Sequence, residues 1–253
     1  MPHPLPYFTL VLDVPADYRD VEPGQFVMLE TTGTLEPYLR RAFSVADVSN
    51  APDGGARIEL LAKVVGRGTS AMSRLRPGER RAILGPLGRP FAAPEPGRLA
   101  LVAGGVGSAP LLLAARRLAE AGRTLDFFYG GRSGRDLVRR DDFERLALAS
   151  GGRLLTATED GSEGFAGRVT DALTAELDAG TRYATLRACG PMPMLAALAR
   201  LTAARGVAGE AALETEMGCG FGACLGCAVP HVSGRYALCC KEGPVFRLDE
   251  VRW

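Results

Sequence analysis

Residues 98–113 read RLALVAGGVGSAPLLL: an apolar run, a glycine-rich turn, then a second apolar run. The pattern predicts a buried strand (RLALVAG) delivering the chain through a tight turn into a helix (SAPLLLAARRLAEA). Gly104, Gly105 and Gly107 permit a turn whose N–H groups, aligned with the helix dipole, face an anion. This is the physics of dinucleotide phosphate binding, although the stretch is not a GxGxxG fingerprint and a plain strand-to-helix turn is its bland alternative. Its place behind the first strand of an alternating segment favours the functional reading.

The alternation continues with strands TLDFFYG, RLLTATE and RYATLRACG and helices DDFERLALA, RVTDALTAEL and PMLAALARLTAA. Four strand–helix units in series predict a mostly parallel sheet with right-handed crossovers. Cys189-Gly190-Pro191 closes the fourth strand, at the sheet edge where open parallel sheets gather ligands. The competing reading is a helix entry with Pro near N1 and a buried, inert thiol at Cys189.

Upstream, Tyr7 to Ile83 is a series of short β-runs (YFTLVLDV, GQFVMLET, AFSVADV, ARIELLAKVV, RRAILG) between Pro, Gly and Asp turns. They predict a small antiparallel barrel, broken by a helical turn over Thr69–Leu75 that Pro77-Gly78 closes. RRAFSVAD supplies Arg41, Phe43 and Ser44; Arg41 and Phe43 share one strand face and Ser44 the other, with a bulge able to re-aim them. Arginine suits a pyrophosphate, an aromatic ring suits stacking, and a hydroxyl suits a flavin nitrogen. VVGRGTSAMSRL places Gly66, Gly68, Thr69 and Ser70 before the short helix, with Thr69 or Ser70 as its cap; a capped turn and nothing more is the alternative. Pro94, Pro96 and Gly97 mark a linker over Phe91–Gly97, so the expected domains are 1–93, 94–208 and 209–253.

The last domain contains MGCGFGACLGCAVPHVSGRYALCCKEGPVF, residues 217–246. Cys219, Cys224 and Cys227 stand as CxxxxCxxC, and a fourth thiol follows at Cys239 or Cys240. That spacing suits a plant-type 2Fe-2S cluster. Gly220, Gly222 and Gly226 let the loop curl with its N–H groups toward the sulfides. Structural zinc usually shows CxxC pairs, and disulfides suit small secreted domains. Spacing does not choose between Cys239 and Cys240. The tail is too short and glycine-rich to form a core unaided, so the cluster is expected to staple it.

Length and composition allow two domains with cores of their own. The chain has 253 residues, 47% hydrophobic, with 30 basic and 29 acidic residues and net charge +1. No basic block suggests nucleic acid, and no apolar stretch reaches membrane-spanning length. With no leader-like start and six cysteines suited to metal ligation, a cytoplasmic location is expected. Two histidines, His3 and His231, leave a hydrolase triad without an obvious base; His231 reads as a turn residue beside the cluster. Glu159 and Asp160 end the third strand, where they would repel a 2′-phosphate, which favours NAD over NADP; Arg132 and Arg135 pull the other way. Trp253 reads as a packed or frayed end.

Barrel, RxFS, GRGT, GGVGSAP, CGP and a cysteine-rich tail, in that order, resemble the ferredoxin-reductase-type electron-transfer subunit of class 1B dihydroorotate dehydrogenase from about Tyr7 to Phe246. ETEMGCGFGACLGC and CKEGPVF carry the most specific part of the likeness, and in that alignment the fourth cluster ligand falls on Cys240. The resemblance implies an α+β multidomain fold: an antiparallel FAD barrel, an α/β parallel-sheet nucleotide-binding domain and a small C-terminal 2Fe-2S domain. It places FAD against Arg41, Phe43, Ser44, Gly66, Gly68 and Thr69, with Ser44 near flavin N5. It places NAD near Gly105, Gly107, Cys189 and Gly190, with Cys189 near the nicotinamide. It further implies an FMN-containing catalytic partner that oxidises dihydroorotate in pyrimidine (UMP) biosynthesis, in a heterotetramer of two of each subunit. The family usually reads RRP(I/F)S in the flavin motif, so Ala42 is a departure. A reductase subunit serving a hydrogenase or a ferredoxin-linked complex is the alternative client, and a zinc-stapled binding module is the alternative class.

Overall fold

The computed structural model describes residues 6–33, 36–93 and 96–253; His3 and Pro94 therefore lie outside the described residues. The N-terminal part holds β1 (Tyr7–Val14), β2 (Phe26–Leu29), β3 (Arg41–Ser44), β4 (Asp47–Asn50), β5 (Ala56–Lys63), α1 (Arg67–Met72) and β6 (Ile83–Leu87). The strands form two antiparallel sheets, β1-β5-β4 and β3-β2-β6, around a core that includes Val27, Leu29, Phe43, Ile58, Leu60 and Met72. This is the expected antiparallel barrel half.

The next part holds β7 (Leu99–Gly104), α2 (Ser108–Glu120), β8 (Leu125–Gly131), α3 (Arg140–Ala149), β9 (Leu154–Thr158), β10 (Phe165–Ala166), α4 (Val169–Asp178), β11 (Thr185–Cys189), α5 (Met192–Arg205) and β12 (Ala208–Ala212). The tail adds β13 (Ala228–Pro230), β14 (Tyr236–Leu238), α6 (Cys239–Glu242) and β15 (Val245–Arg247). The large sheet runs β10-β9-β8-β7-β11-β12-β15, parallel throughout except for β15. Period-two alternation in β7 distributes its side chains: Leu99, Leu101 and Ala103 pack with Leu111 and Phe143 toward α2 and α3, while Ala100 and Val102 pack with Leu173, Leu195 and Leu198 toward α4 and α5. Phe127 stacks on Phe143 at 4.1 Å between ring centroids, which locks α3 onto β8.

The tail departs from the expectation of a segment held by its cluster alone. β15 pairs antiparallel with β12, and Phe246, Leu248 and Cys240 join the core that covers one face of the large sheet. Trp253 is packed, its indole N–H donating to the Leu248 carbonyl at 2.7 Å. His231 occupies the β13–β14 turn with Nδ1 2.8 Å from the Ser233 hydroxyl.

Polar straps tie the barrel half to the large sheet. The Tyr7 hydroxyl donates to Asp136 at 2.6 Å, Arg116 bonds Asp47, and Arg139 bonds Glu59. Glu210 accepts from the Ala92 N–H at 3.2 Å, and Arg187 donates to the Ala92 carbonyl, so β11 and β12 grip the linker from both sides. These contacts hold open a cleft between the halves. Phe143 is fully buried, and Phe143→Ala is expected to cost about 3–5 kcal/mol, read as a lower denaturant midpoint with an unchanged slope.

Candidate functional site

Three groups of residues form candidate sites: the cysteine loop, the start of α1 and a cleft. In the tail, Gly220 and Gly222 take φ of 85° and 90°, and Leu225 takes 59°, so the loop from Cys219 to Cys227 coils tightly. Two of its sulfurs accept backbone N–H groups. The Cys224 N–H points at Cys219 Sγ at 3.4 Å, and the Cys240 N–H points at Cys227 Sγ at 3.4 Å. Backbone N–H groups directed at cysteine sulfurs are the hydrogen bonds that tune a bound iron–sulfur cluster. Backbone N–H groups of Cys224 and Phe221 lower the Cys219 thiol to about 6. Burial, with the Cys227 thiol alongside, pushes Cys240 up to about 12. Cys239 looks elsewhere: its thiol donates toward the Leu213 carbonyl at 3.7 Å, and burial raises it to about 11.

In the barrel half, the RxFS and GRGT segments come together. Gly68 is buried against Arg41, and a Cβ there would lie 2.7 Å from Arg41 Nε. The guanidinium therefore lies flat on the start of α1, further oriented by a 2.6 Å bond from Nη1 to the Leu39 carbonyl. Thr69 does not cap the helix in the expected way, and neither does Ser70. Gly66 is the N-cap, and Thr69, three residues on, reaches back so that its Oγ1 accepts from the Val65 and Gly66 N–H groups at 2.9 and 3.2 Å. The helix thus starts two residues before Thr69. β3 pairs with β2 in regular register, so Phe43 turns into the barrel core and Ser44 to the opposite, half-buried face with no bulge in that pair; the irregularity lies between β2 and β6.

The third site is the cleft between the halves, about 650 Å³, at the C-terminal edge of the parallel strands. Gly104 and Gly105 line it together with Pro191, Met194 and Glu214. Gly107, Cys189 and Gly190 are close by but do not line it. A Cβ on Gly107 would sit 2.5 Å from the Cys189 carbonyl oxygen, and one on Gly190 2.6 Å from Met194 Cε, so both glycines serve close packing of α2, β11 and α5. Cys189 is 1% exposed, with its thiol 3.9 Å from a Glu214 carboxylate oxygen; burial and then the Glu214 charge raise its pKa well above the ordinary value. Glu214 is reachable from the cleft yet crowded by protein elsewhere, and that crowding raises its own pKa. At the far end Glu159, Arg132 and Arg168 line the cleft, whereas Asp160 is engaged with Ser162.

Sequence reasoning did not find Glu214, Tyr7, Lys63 or Asp136 as cleft residues. Glu214 follows β12, a strand without a clear sequence signal, and Tyr7 and Lys63 reach the cleft from the barrel half.

Comparison with known proteins agrees with this geometry. A family model described as the iron-sulfur cluster binding domain of dihydroorotate dehydrogenase B matches residues 214–252, and the oxidoreductase NAD-binding domain matches 101–200. The electron transfer subunit of dihydroorotate dehydrogenase B (NAD(+)) from Desulforamulus reducens is 38% identical over 97% of this chain and 92% of its own length. That from Geobacillus thermodenitrificans is 39% identical over 91% and 86%. Among solved structures, a chain of an NADH-dependent reduced ferredoxin-NADP oxidoreductase superposes with TM-score 0.85 and 32% identity, covering 98% of this chain and 85% of that one. The ferredoxin reductase of carbazole 1,9a-dioxygenase superposes with TM-score 0.61 and 28% identity, covering 79% and 61%.

The fold and sites define a ferredoxin-reductase-type oxidoreductase with an iron–sulfur domain at its C-terminus. FAD, a 2Fe-2S cluster and NAD are the cofactors that these parts fit. The chain belongs to the family of dihydroorotate dehydrogenase B (NAD(+)) electron transfer subunits.

A metal-free sample makes the thiol geometry testable. Because the Cys219 pKa is lowered to about 6, its thiolate is populated above that pH and lost below it. Iodoacetamide at pH 7 is expected to modify Cys219 well ahead of buried Cys189 and Cys239, read by peptide mass spectrometry; equal labelling of Cys189 contradicts the geometry.

Proposed function

We propose that Cys219, Cys224, Cys227 and Cys240 hold the 2Fe-2S cluster and that Cys239 is a packed neighbour. The support is that the Cys224 N–H bonds the Cys219 sulfur and the Cys240 N–H bonds the Cys227 sulfur, which brings Cys240 to the loop, whereas the Cys239 thiol turns toward Leu213. Arg41, Gly66, Gly68 and Thr69 take the FAD pyrophosphate and its approach, and Ser44 sets the isoalloxazine edge of the site, while Phe43, expected to stack on the flavin, is buried in the barrel core on the other face of β3 and anchors that strand. Gly105 borders the nicotinamide dinucleotide directly; Gly107, Cys189 and Gly190 shape the wall behind it. The three working regions are 1–93 for FAD, 94–208 for NAD and 209–253 for the cluster.

In this reading electrons enter singly at the cluster site, collect in pairs at the flavin site, and leave as hydride to NAD+. Flavin supplies the two-to-one electron conversion when bound. The protein's part is to hold the sites in one block, to neutralise phosphate charge with Arg41, and to limit water around the buried Cys189 wall. Glu159 in the cleft disfavours a 2′-phosphate while Arg132 and Arg168 beside it would accept one, so the preference for NAD rests on the NAD(+) relatives together with Glu159.

The electron donor is an FMN-containing catalytic subunit that oxidises dihydroorotate in pyrimidine biosynthesis, in a cytoplasmic heterotetramer of two of each chain. Phe221 and Leu225, within the cluster loop itself, are 59% and 62% exposed, an apolar surface suited to a partner at the point where electrons must cross. Among the described residues no helix is long and apolar enough to cross a membrane. A second reading, reduction for a ferredoxin-linked partner, is favoured by the 0.85 TM-score to the ferredoxin-NADP oxidoreductase chain.

Two experiments test this. The isolated chain is expected to show NADH diaphorase activity and no dihydroorotate oxidation until the FMN subunit is added; oxidation by the chain alone, or none after addition, refutes the division of labour. Cys240→Ser is expected to lose the iron–sulfur absorbance and Cys239→Ser to retain it, and the opposite result reverses the ligand assignment.

A further inference from the structure

The two faces of the β2–β3 pair serve different cores. Val27, Leu29 and Phe43 point into the barrel, whereas Phe26 and Met28 belong to the core that also contains Cys227, Cys239 and Cys240, with Ala42 packed against it. In the register of this pair Met28 lies opposite Ala42 and Phe26 opposite Ser44. Partners in an antiparallel pair share a face, so Ser44 stands on the same side as Met28.

The cluster loop rests on that side. Gly220 is buried at φ 85°, and a Cβ on it would fall 2.5 Å from Met28 Cγ, 3.1 Å from Met28 Sδ and 3.3 Å from Leu87 Cδ1. The other glycines of the loop face elsewhere: Gly218 and Gly226 meet the Cys224 sulfur, and Gly222 meets Lys241 and Leu238. Gly220 is thus the loop glycine whose nearest neighbours are barrel side chains. One methionine separates the residue after Cys219 from the strand that carries Ser44.

We propose that Gly220 and Met28 form the seat that fixes the cluster loop against the flavin barrel, making Gly220 a positioning residue for electron exchange between the two sites. The proposal rests on the flavin and cluster reading given above. A glycine here does two things: it adopts a left-handed conformation that costs other residues energy, and it leaves out the one carbon that would push the loop off Met28. Packed interiors do not absorb such a carbon without movement, so adding it lengthens the path between the sites.

The test uses the chain purified with its cofactors. Hydride from NADH brings two electrons to the flavin site; one passes to the oxidised cluster and the other stays behind, so bleaching at iron–sulfur wavelengths reports the single-electron step. Gly220→Ala is expected to keep wild-type flavin and iron content and wild-type flavin bleaching, to slow cluster bleaching several-fold, and to speed hydrogen exchange in residues 26–29 and 218–224. Adding Met28→Ala, which removes the atoms that the new carbon strikes, is expected to recover part of the cluster rate. Wild-type cluster bleaching and exchange in Gly220→Ala overturn the proposal. Should that variant assemble no cluster, Met28→Ala alone tests the seat from the barrel side: faster exchange in the loop with slower cluster bleaching supports it, and no change in either overturns it. Absence of flavin and iron–sulfur bands in the wild-type chain would instead sink the underlying reading; normal bands with unresponsive variants sink only the seat.

Discussion

Strand β2 is buried on both faces, and the arrangement of the three regions depends on it. Phe26, Val27, Met28 and Leu29 are each 3% exposed or less. A strand covered on both sides reads as a continuous apolar run, and FVML is one. Its inward residues close the barrel, and its outward residues receive the tail. The RAFS segment on β3 and the cysteine loop therefore pack on one shared strand. For a protein that passes single electrons this shared strand shortens the path between sites without requiring motion.

The cleft depends on backbone approach of a similar kind. Gly107 brings the start of α2 against the end of β11, and Gly190 lets Met194 and Gly104 close over that end. Side chains at either position would push apart the elements that form the cleft wall. The straps from Tyr7, Asp47 and Glu59 then fix the barrel half across the opening. Asp136, between Tyr7 and Lys63, is held below its ordinary carboxylate pKa by those partners and the Ser133 N–H against the opposing effect of burial. It stays charged where it joins the two halves.

The alternation of strands and helices from β7 to α5 was legible because β7 (LALVAG) and β8 (LDFFYGG) are apolar runs ending in glycine and α2, α3 and α4 each carry an apolar stripe. The antiparallel half was legible from its turns. β10 and β15 were not, being two and three residues long, and β12 reads AGEAA, with no branched or aromatic residue. β12 forms because its backbone pairs with β11 and its small residues admit Leu248, which lies 2.6 Å from where a Gly209 Cβ would be. Missing that strand meant missing Glu214 at its end. Cys219, Cys224 and Cys227 were legible as spacing, which does not choose between adjacent Cys239 and Cys240; the resemblance points to Cys240, and the Cys239 thiol turned toward Leu213 agrees with it. Thr69 was recognised as a helix-start residue, yet whether it acts as the cap or reaches back from inside the first turn depends on the backbone of Gly66.

One chain joins a two-electron flavin site to a one-electron cluster site and exchanges electron pairs with nicotinamide, so NADH can fill both sites in reverse. Anaerobic titration of the isolated chain with NADH, followed by visible absorbance and by electron paramagnetic resonance of the cluster, tests that most directly. Full reduction is expected at about 1.5 equivalents of NADH per chain, two electrons at the flavin and one at the cluster. An end point at one equivalent with no iron–sulfur signal would contradict the account.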